Sequence, residues 1–270
     1  MNWEPAAEAA IKKVPFFVRK RVRAKVEKEA QKKDLPVVTL DHVKAVKAGY
    51  LTNMESEVKG YQLDACFGES GCPNRVIDAG SLMKRIEKTL QKTDLRGFLK
   101  SRVSGKLRFH HEFRVTLADC PNACSQPQIK DVGIIGACLP EMTDEACSMC
   151  EACVEVCRED AIELDTADSS PLIDTEQCLY CGKCFKVCPT GTLVKGDCGF
   201  RVQLGGKLGR HPQLARELPG IFSEDEVLEI LEACLVFYKK RTKTGERFGE
   251  LLTGADFEDF VTRFSKKDAV

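Results

Sequence analysis

The amino-terminal part of the chain carries a helical pattern of apolar positions. One helix is predicted to begin at Pro15, which suits a first helical turn, and to end at Leu35-Pro36. Apolar residues recur at every fourth position on one face of this helix: Val18, Val22, Val26 and Ala30. Thr39 is a suitable N-cap for a short further helix over residues 40–48. The segment therefore predicts a small helical module.

Helical and strand patterns alternate between residues 50 and 140. Ser81 is a candidate cap for a helix whose apolar stripe comprises Leu82, Met83, Ile86 and Leu90. Residues 113–117 alternate as a strand that leads to Cys120, and residues 131–136 form an apolar strand that should be buried. This part of the chain is expected to fold as strands covered by helices.

The carboxyl-terminal part repeats this mixture. Residues 200–204 predict a strand that ends at Gly205-Gly206, and Ser223 with Glu226 is a capping box. The helix that follows has apolar positions Val227, Ile230, Leu231, Cys234 and Leu235, and the tail has Phe257, Phe260, Val261 and Phe264 at helical spacing. Together the patterns predict an α+β fold with an antiparallel or mixed sheet.

Composition restricts the class of protein. The 270 residues, 30.0 kDa, suffice for two or three small domains. Fifteen cysteines without a signal-peptide pattern favour a reducing cytoplasm over secretion. Apolar runs such as residues 132–139 are far shorter than the roughly 20 residues of a membrane helix, so no membrane insertion is expected.

The net charge of +0 conceals a polarity along the chain. Residues 1–50 contain 12 Lys and Arg against 6 Asp and Glu, whereas residues 141–200 contain 4 against 13. Either both are ordinary solvated faces, or they dock on each other or on partners. The basic helix has no groove-reading motif beside it, so no nucleic-acid partner is predicted.

Eight cysteines form two ferredoxin-type runs, CSMCEACVEVC and CLYCGKCFKVCP. A tight Cys-x2-Cys-x2-Cys loop reaches three irons of a cubane, and the last cysteine of each run ligates the other cluster. This rule predicts a first site of Cys147, Cys150, Cys153 and Cys188, and a second site of Cys178, Cys181, Cys184 and Cys157. Two zinc knots are the alternative, but they do not need four cysteines per run.

Four further cysteines precede these runs in the pattern Cys66-x5-Cys72 and Cys120-x3-Cys124, which we call the quartet site. With the flanks LDACFG, CPNAC and DVGIIG, this pattern resembles the sulfite and nitrite reductases. In that family the four cysteines hold a 4Fe-4S cluster, and the last one bridges to the iron of a sirohaem. The resemblance therefore implies three 4Fe-4S clusters and sirohaem, with Cys124 as the bridge.

The layout is most similar to the C subunits of anaerobic sulfite reductases, in which a two-cluster ferredoxin module is inserted after the strand at residues 131–136. The likeness extends from about residue 60 to 264 and includes the loop GGKLGRHP at residues 205–212. The resemblance places this loop near the cofactor, with Gly205, Gly206 and Arg210 in contact with it. Lys207 and Arg210 would meet sirohaem carboxylates; the alternative is a plain surface turn.

A sulfur or nitrogen oxyanion would need positive charge as it gains electrons and protons, and the candidate groups are Arg114, Lys130, Lys207 and Arg210. Two positions depart from the family. Tyr61 stands where an Arg is usual, and Asp119 stands where a Gly precedes the third cysteine. The family's amino-terminal half-domain, which completes the cofactor and substrate cavity, is expected to be replaced by the helical module.

That module, from Trp3 through VPFFVRKRVRAKVEKEA to VVTLDHV, resembles the carboxyl-terminal module of the light-independent protochlorophyllide reductase B subunit. The expected domains are therefore the basic helical module at residues 1–50, a reductase-like domain in two parts at residues 51–142 and 194–270, and the ferredoxin module at residues 143–193. The expected partners are an electron-donor protein or reductase subunit and, if sirohaem is bound, a small oxyanion as substrate. A homo- or hetero-oligomer is also expected to be possible, because enzymes of this type resemble two related halves.

Three functions remain open on the sequence: an oxidoreductase resembling sulfite or nitrite reductase, a sirohaem-free three-cluster electron-transfer protein, and a tetrapyrrole-handling or scaffold protein. Three cysteines fit no pattern and are interpreted as free, small buried apolar residues: Cys138, Cys198 and Cys234. His110 and His111 are interpreted as residues at a strand edge, pointing to opposite sides, with substrate protonation as the alternative.

Overall fold

The computed structural model describes residues 1–14, 16–32 and 35–265. It divides into a first unit of residues 1–58 with 106–108 and a second unit of residues 59–105 with 109–270. Within the described ranges, no helix is both long enough and apolar enough to pass through a membrane.

The first unit is a three-helix module with a two-stranded parallel sheet. Its elements are β1 (Asn2–Trp3), α1 (Pro5–Lys12), α2 (Phe16–Gln31), β2 (Val37–Val38) and α3 (Leu40–Glu57). The core comprises Ala7, Ile11, Val26, Ala30 and Val38. The predicted apolar face of α2 is therefore confirmed at Val26 and Ala30, whereas Pro15 and the side chain of Val18 lie outside the described residues.

The Thr39 cap is confirmed, because the backbone N–H of His42 donates to its hydroxyl in a capping box. The helix does not end at Ala48 as predicted, but continues to Glu57. A Cβ added at Gly49 would have no neighbouring atom within 4 Å, so this glycine is not required by close packing. It remains helical because one glycine lowers helix stability without ending a helix.

The second unit is built on a five-stranded mixed sheet. Its elements in chain order are β3 (Tyr61–Ala65), α4 (Gly80–Lys92), α5 (Leu95–Arg102), β4 (Phe113–Ala118), β5 (Val132–Met142), α6 (Ala152–Val156), β6 (Ile162–Asp165), β7 (Ser170–Ile173), α7 (Lys183–Val187), β8 (Leu193–Leu204), β9 (Arg216–Glu217), α8 (Glu224–Arg241), α9 (Phe248–Leu251) and α10 (Gly254–Phe264). The strand order is β3-β4-β5-β8-β9, in which β3, β4 and β5 are parallel and the other neighbours are antiparallel. The predicted α+β class is confirmed.

One face of this sheet carries the aromatic core. The ring of Phe113 on β4 lies 5.2 Å from the ring of Tyr238 on α8 and 5.5 Å from that of Phe248 on α9, measured between centroids. Of the predicted apolar positions of α4 and α8, Met83 is half-buried and the others are buried: Leu82, Ile86, Leu90, Val227, Ile230, Leu231, Cys234 and Leu235. The sheet strands therefore present their alternating apolar residues to these helices.

Helix starts were predicted with mixed success. The capping box of Ser223 and Glu226 is confirmed at the start of α8. Ser81 is not a cap, because α4 begins at Gly80 with Ala79 as its N-cap residue. The Ser81 hydroxyl instead donates to Glu224 at 3.3 Å. Since Glu224 is the first residue of α8, this contact joins two helices instead of capping one.

The strand-edge interpretation of the two histidines is wrong. His110 and His111 lie in a single 3-10 turn over Phe109–His111, and their ring centroids are 4.1 Å apart. A tight turn does not alternate its side chains as a strand does, so the two rings lie side by side.

The residues between β5 and β8 form a separate small lobe. The strands β6 and β7 pair as an antiparallel hairpin, and α6 and α7 lie beside it. Apolar residues from both halves share one core, including Ile162, Leu193 and Phe185. Because β5 and β8 are themselves adjacent, this lobe extends from the end of one strand pair of the sheet.

Candidate functional site

The first site lies in the lobe between β5 and β8. All four predicted cysteines line one cavity. Backbone N–H groups point at the sulfurs, including those of Met149 toward Cys147 and of Leu193 toward Cys188, both at 3.4 Å. Such hydrogen bonds favour thiolate ligands and tune an iron–sulfur cluster.

The second site has the same construction. Cys157, Cys178, Cys181 and Cys184 line another cavity, and the N–H of Tyr180 donates to the sulfur of Cys178 at 3.4 Å. Each cavity thus takes three cysteines from one run and the last cysteine from the other. This is the arrangement that the crossing rule predicts.

The environments of these thiols differ. Burial raises the pKa of the Cys184 thiol to about 11. Burial also opposes ionisation of Cys188, but hydrogen bonds from Leu193 and Thr190 lower the pKa of that thiol to about 7.

Among the described residues, no three His, Cys, Asp or Glu side chains converge as a single metal ion requires. Four cysteines around one cavity, three of them from a single run, suit the ligand set of a 4Fe-4S cluster.

The quartet site forms where two parallel strands end side by side. Cys66 follows β3 and Cys120 follows β4 by two residues, and the N–H of Cys66 donates to the carbonyl of Leu117 at 3.0 Å. Burial raises the pKa of the Cys120 thiol, and the neighbouring charges of the other three cysteines raise it further. The four cysteines, which come from two separate segments of the chain, therefore lie together.

Hydrogen bonds from neighbouring residues reach the sulfurs of the quartet site. The backbone N–H of Asp119 donates to Cys66 at 3.2 Å, and the side-chain amide of Asn122 donates to Cys124 at 2.9 Å. Cys124 is the exposed member of the four. Cys124 is thus the member of the four that is most open to an outside group. The residues present fit a 4Fe-4S cluster with one ligand open to a second group.

Asp119, which replaces the family's glycine, is a buried residue and not a free charge in a cavity. Its carboxylate lies 3.0 Å from the Nε of Arg75, and its backbone carbonyl accepts from Val76. Gly68 makes room for this carboxylate, because a Cβ on Gly68 would collide with it. Tyr61, the other departure, lies at the opposite end of β3 from Cys66.

The edge of β5 connects the quartet site with the second site. The first part of this edge pairs with β4, where Ala118 lies opposite Ile135. Further along the same edge β5 pairs with the lobe, where Cys181 lies opposite Cys138. Three residues of strand separate the two pairings, a distance of about 10 Å. The second site is therefore the nearer of the two ferredoxin-type sites along this edge. Lys186 in the lobe also donates to the carbonyl of Arg75, at 3.3 Å.

Cys138 and Cys198 are not the free cysteines that the sequence suggested. They lie opposite each other on β5 and β8 and form a disulfide, with their Cα atoms 4.1 Å apart. Their pairing depends on the register of two strands that are 60 residues apart in sequence, which spacing cannot reveal. Cys234 is buried in α8 without a disulfide, as predicted.

Arg114 and Lys130, two of the four candidate positive residues, lie on the open face of the sheet. Ser125, next to Cys124, donates to the carbonyl of Leu117 at 2.6 Å, and its own carbonyl lies 3.5 Å from the hydroxyl of Thr116. The Cys124 loop thus returns along the face of β4 that also carries Arg114.

Lys130 and Arg114 differ in the hydrogen-bond partners of their charged groups. Lys130 donates to Asp64 at 2.8 Å and is only 15% exposed. Burial lowers the pKa of Arg114, and the nearby positive charge of Arg247 lowers it further. Within the described part of the chain, the buried Nε of Arg114 has no hydrogen-bond partner. Arg114 is therefore the better anion-binding candidate of the two.

The glycine-rich loop is divided between core and surface. Gly205 and Gly206 are buried, and the N–H of Gly205 donates to the carbonyl of Asp131 at 2.9 Å. Lys207 turns inward and donates to Glu250 at 2.9 Å, whereas Arg210 is exposed at the tip of the loop. The structure therefore does not bring Lys207 and Arg210 to one point.

Sequence reasoning missed Asn122 and Arg201. Asn122 was detectable, because a side-chain amide two residues before a ligand in a tight loop is well placed to donate to its sulfur. Arg201 on β8 donates to the carbonyl of Leu179 at 3.4 Å and pairs with Glu217, and its charge lowers the pKa of Cys178, which burial raises. No local pattern indicates that contact, because it depends on how the lobe packs on the sheet.

Comparison with known proteins agrees with this geometry. The chain is 29% identical over 74% of its length to the "Coenzyme F420-dependent sulfite reductase" of Methanocaldococcus jannaschii, and 26% identical over 73% to the C subunit of the anaerobic sulfite reductase of Salmonella typhimurium. It spans 29% and 53% of those two proteins, respectively. A crystal structure of dissimilatory sulfite reductase I superposes with a TM-score of 0.52, at 17% identity, over 85% of this chain and 59% of that one.

Two family models match successive parts of the chain. The model described as "Proto-chlorophyllide reductase 57 kD subunit" matches residues 3–47, which agrees with the resemblance of the helical module. The model described as "Nitrite and sulphite reductase 4Fe-4S domain" matches residues 61–269, and includes the quartet site and both ferredoxin-type sites. The chain therefore belongs to the nitrite and sulphite reductase 4Fe-4S domain family.

Proposed function

We propose that this chain is an iron–sulfur oxidoreductase component that carries electrons from a donor through two ferredoxin-type sites to the quartet site. One observation carries the proposal: twelve cysteines lie in three groups of four, and one strand edge joins the second site to the quartet site. A 4Fe-4S cluster, when bound, accepts and releases one electron at a time. Three groups in succession suit transfer along the chain.

The residues around the sulfurs support this role. Backbone N–H groups and the Asn122 amide donate to the sulfurs, which stabilises thiolates and the added charge of a reduced centre. The guanidinium of Arg201 adds positive charge beside Cys178. The Arg75 to Asp119 ion pair holds the turn between the quartet site and the lobe. These contacts hold the ligands in place, so little rearrangement accompanies electron transfer.

The proposal extends to a sirohaem at the quartet site, with a sulfur or nitrogen oxyanion as substrate. The exposed Cys124 would be the bridging ligand, and sirohaem would supply the iron at which the oxyanion is reduced. Arg114 would bind the anion, because its buried Nε is without a partner in the described residues. Lys130 would contribute once the anion competes with Asp64, and Arg210 would bind cofactor carboxylates.

A second candidate is a sirohaem-free electron-transfer protein with three clusters that serves a partner enzyme. It is favoured by the ion pairs of Lys130 with Asp64 and of Lys207 with Glu250, which occupy two of the four candidate positive groups. Under this alternative, Cys124 would face a partner protein and not a tetrapyrrole. The two candidates share the clusters and differ in the cofactor.

One anaerobic preparation of the full chain tests both. Iron, labile sulfide and the absorption spectrum are measured after cluster reconstitution, with and without added sirohaem. About twelve irons per chain support the three clusters, and an additional iron with a haem band supports sirohaem. About eight irons in the Cys124→Ser, Cys120→Ser double variant would locate the third cluster at the quartet site. About eight irons or fewer in the wild-type chain would refute the proposal.

A further inference from the structure

We propose that Cys138 and Cys198 form a redox-active pair that exchanges electrons with the second site. The proposal assigns a two-electron dithiol/disulfide centre to a place beside a one-electron iron–sulfur centre. It rests on the proposed function only in requiring a 4Fe-4S cluster at Cys157, Cys178, Cys181 and Cys184.

The backbone brings the three cysteines Cys181, Cys138 and Cys198 into one row. The N–H of Cys138 donates to the carbonyl of Tyr180 at 2.9 Å, so this N–H points away from β8. Cys138 and Cys198 are therefore a non-hydrogen-bonded antiparallel pair, the arrangement in which opposite side chains lie closest. Their Cα atoms are 4.1 Å apart, just below the roughly 4.4–6.8 Å usual for disulfides, so the two side chains lie within bonding reach of each other.

The other neighbour of Cys138 is a ligand of the second site. Cys181 lies opposite Cys138 in a parallel bridge. Opposite residues in a sheet have side chains on the same face, at a strand spacing of about 4.8 Å. The backbone of Cys138 is thus next to a cluster ligand on one side and next to Cys198 on the other. No other cysteine pair among the described residues forms a disulfide.

Burial restricts the source of electrons. Cys138 is 0% exposed and Cys198 is half-buried, so a dissolved thiol could approach the pair only from the Cys198 side. Exchange by way of the neighbouring cluster needs no such access. In the reducing compartment that the cysteine usage predicts, a disulfide is typically transient and either catalytic or redox-sensing. A purely stabilising role would not require a place beside a cluster ligand.

Reduction of the pair consumes two electrons and two protons. The sulfur–sulfur bond between Cys138 and Cys198 breaks, two electrons are taken up, and two protons from solvent give two thiols. The electrons are supplied one at a time by a ferredoxin-type 4Fe-4S cluster, which is itself reduced again by a one-electron donor. In the reverse direction the two thiols lose two protons and two electrons, and the bond forms. The pair therefore stores two electrons next to a carrier of one.

The test counts electrons and thiols in the cluster-loaded full chain. The protein is titrated anaerobically with reduced methyl viologen and then quenched in acid. Its free thiols are alkylated before and after chemical reduction, and mass spectrometry reports the state of Cys138 and of Cys198 separately. We expect a disulfide in the oxidised protein and two free thiols in the reduced protein. We also expect wild type to take up two more electrons per chain than Cys198→Ser.

Cys234→Ser is the matched control, because it removes another cysteine of the same unit that has no disulfide. It is expected to take up as many electrons as wild type. The proposal is overturned if the oxidised protein has free thiols at both positions, if the disulfide persists once the clusters are reduced, or if Cys198→Ser and wild type take up equal numbers of electrons. Iron counts and the paramagnetic resonance of the reduced clusters separately report failure of the proposed function.

Discussion

The ion pair between Asp131 and Arg247 offers the sharpest test of how the sheet beneath the quartet site is held. The Asp131 side chain is 0% exposed, and both of its oxygens accept from Arg247, at 2.9 and 2.8 Å. One oxygen also accepts the backbone N–H of Arg114 at 2.7 Å. The pair therefore joins the starts of β4, β5 and α9.

Arg247→Gln leaves this buried carboxylate without its counterion. Removing one partner of a buried pair destabilises by about 3–5 kcal/mol, and we expect about 3 because the backbone N–H of Arg114 remains. With a urea slope of about 3 kcal/mol/M, the unfolding midpoint falls by about 1 M. The measurement is anaerobic urea unfolding of the cluster-loaded chain, followed by circular dichroism.

The pH dependence provides an independent check. Burial raises the pKa of Asp131 in the folded protein, and loss of Arg247 raises it further. A carboxyl group whose folded-state pKa exceeds its unfolded value costs stability at neutral pH, and the cost declines as the pH falls through the folded-state value. The destabilisation by Arg247→Gln should therefore shrink on acidification.

Arg241→Gln is the matched control for the same chemical change. Arg241 is 52% exposed and pairs with Asp256, so its loss should cost at most about 1 kcal/mol. The reasoning is refuted if the two variants have equal midpoints, or if the destabilisation by Arg247→Gln grows as the pH is lowered.

Three further predictions concern other positions. Gly136→Ala should lower the iron content, because the new Cβ would lie 2.8 Å from the carbonyl oxygen of Asp119 beside the quartet site. Gly254→Ala is the control: its new Cβ would have no atom within 4 Å, so the iron content should be unchanged in the same assay. Burial raises the pKa of Glu246, but backbone N–H donors lower it to about 2, so the stability lost in Glu246→Gln should be largest above pH 4.5 and disappear toward pH 2; a loss independent of pH would contradict this. Arg158→Pro should lower the reduction potential of one cluster in a redox titration, since a cation beside the ligand Cys157 favours the reduced state, and unchanged potentials would exclude this role.

Local patterns in the sequence were sufficient for much of the fold. The helix stripe of α4 and the capping box of Ser223 were predicted because they depend on contacts within one or two helical turns. The grouping of cysteines around two cavities followed from spacing, because a short loop can reach only part of a cubane. The extension of α3 to Glu57 was not predicted, since one glycine is a weak stop signal.

The sequence by itself determined the two ferredoxin-type groups of cysteines, because the spacing within each run is a local property of the chain, and the quartet followed from the resemblance to a family. Only the tertiary structure decided that Asp119 is paired with Arg75, that Lys207 turns toward Glu250, and that Cys138 lies between Cys181 and Cys198. These contacts depend on strand order and register between distant segments. Register is set by the burial of whole strand faces, so no local pattern reveals which residues become neighbours across a sheet.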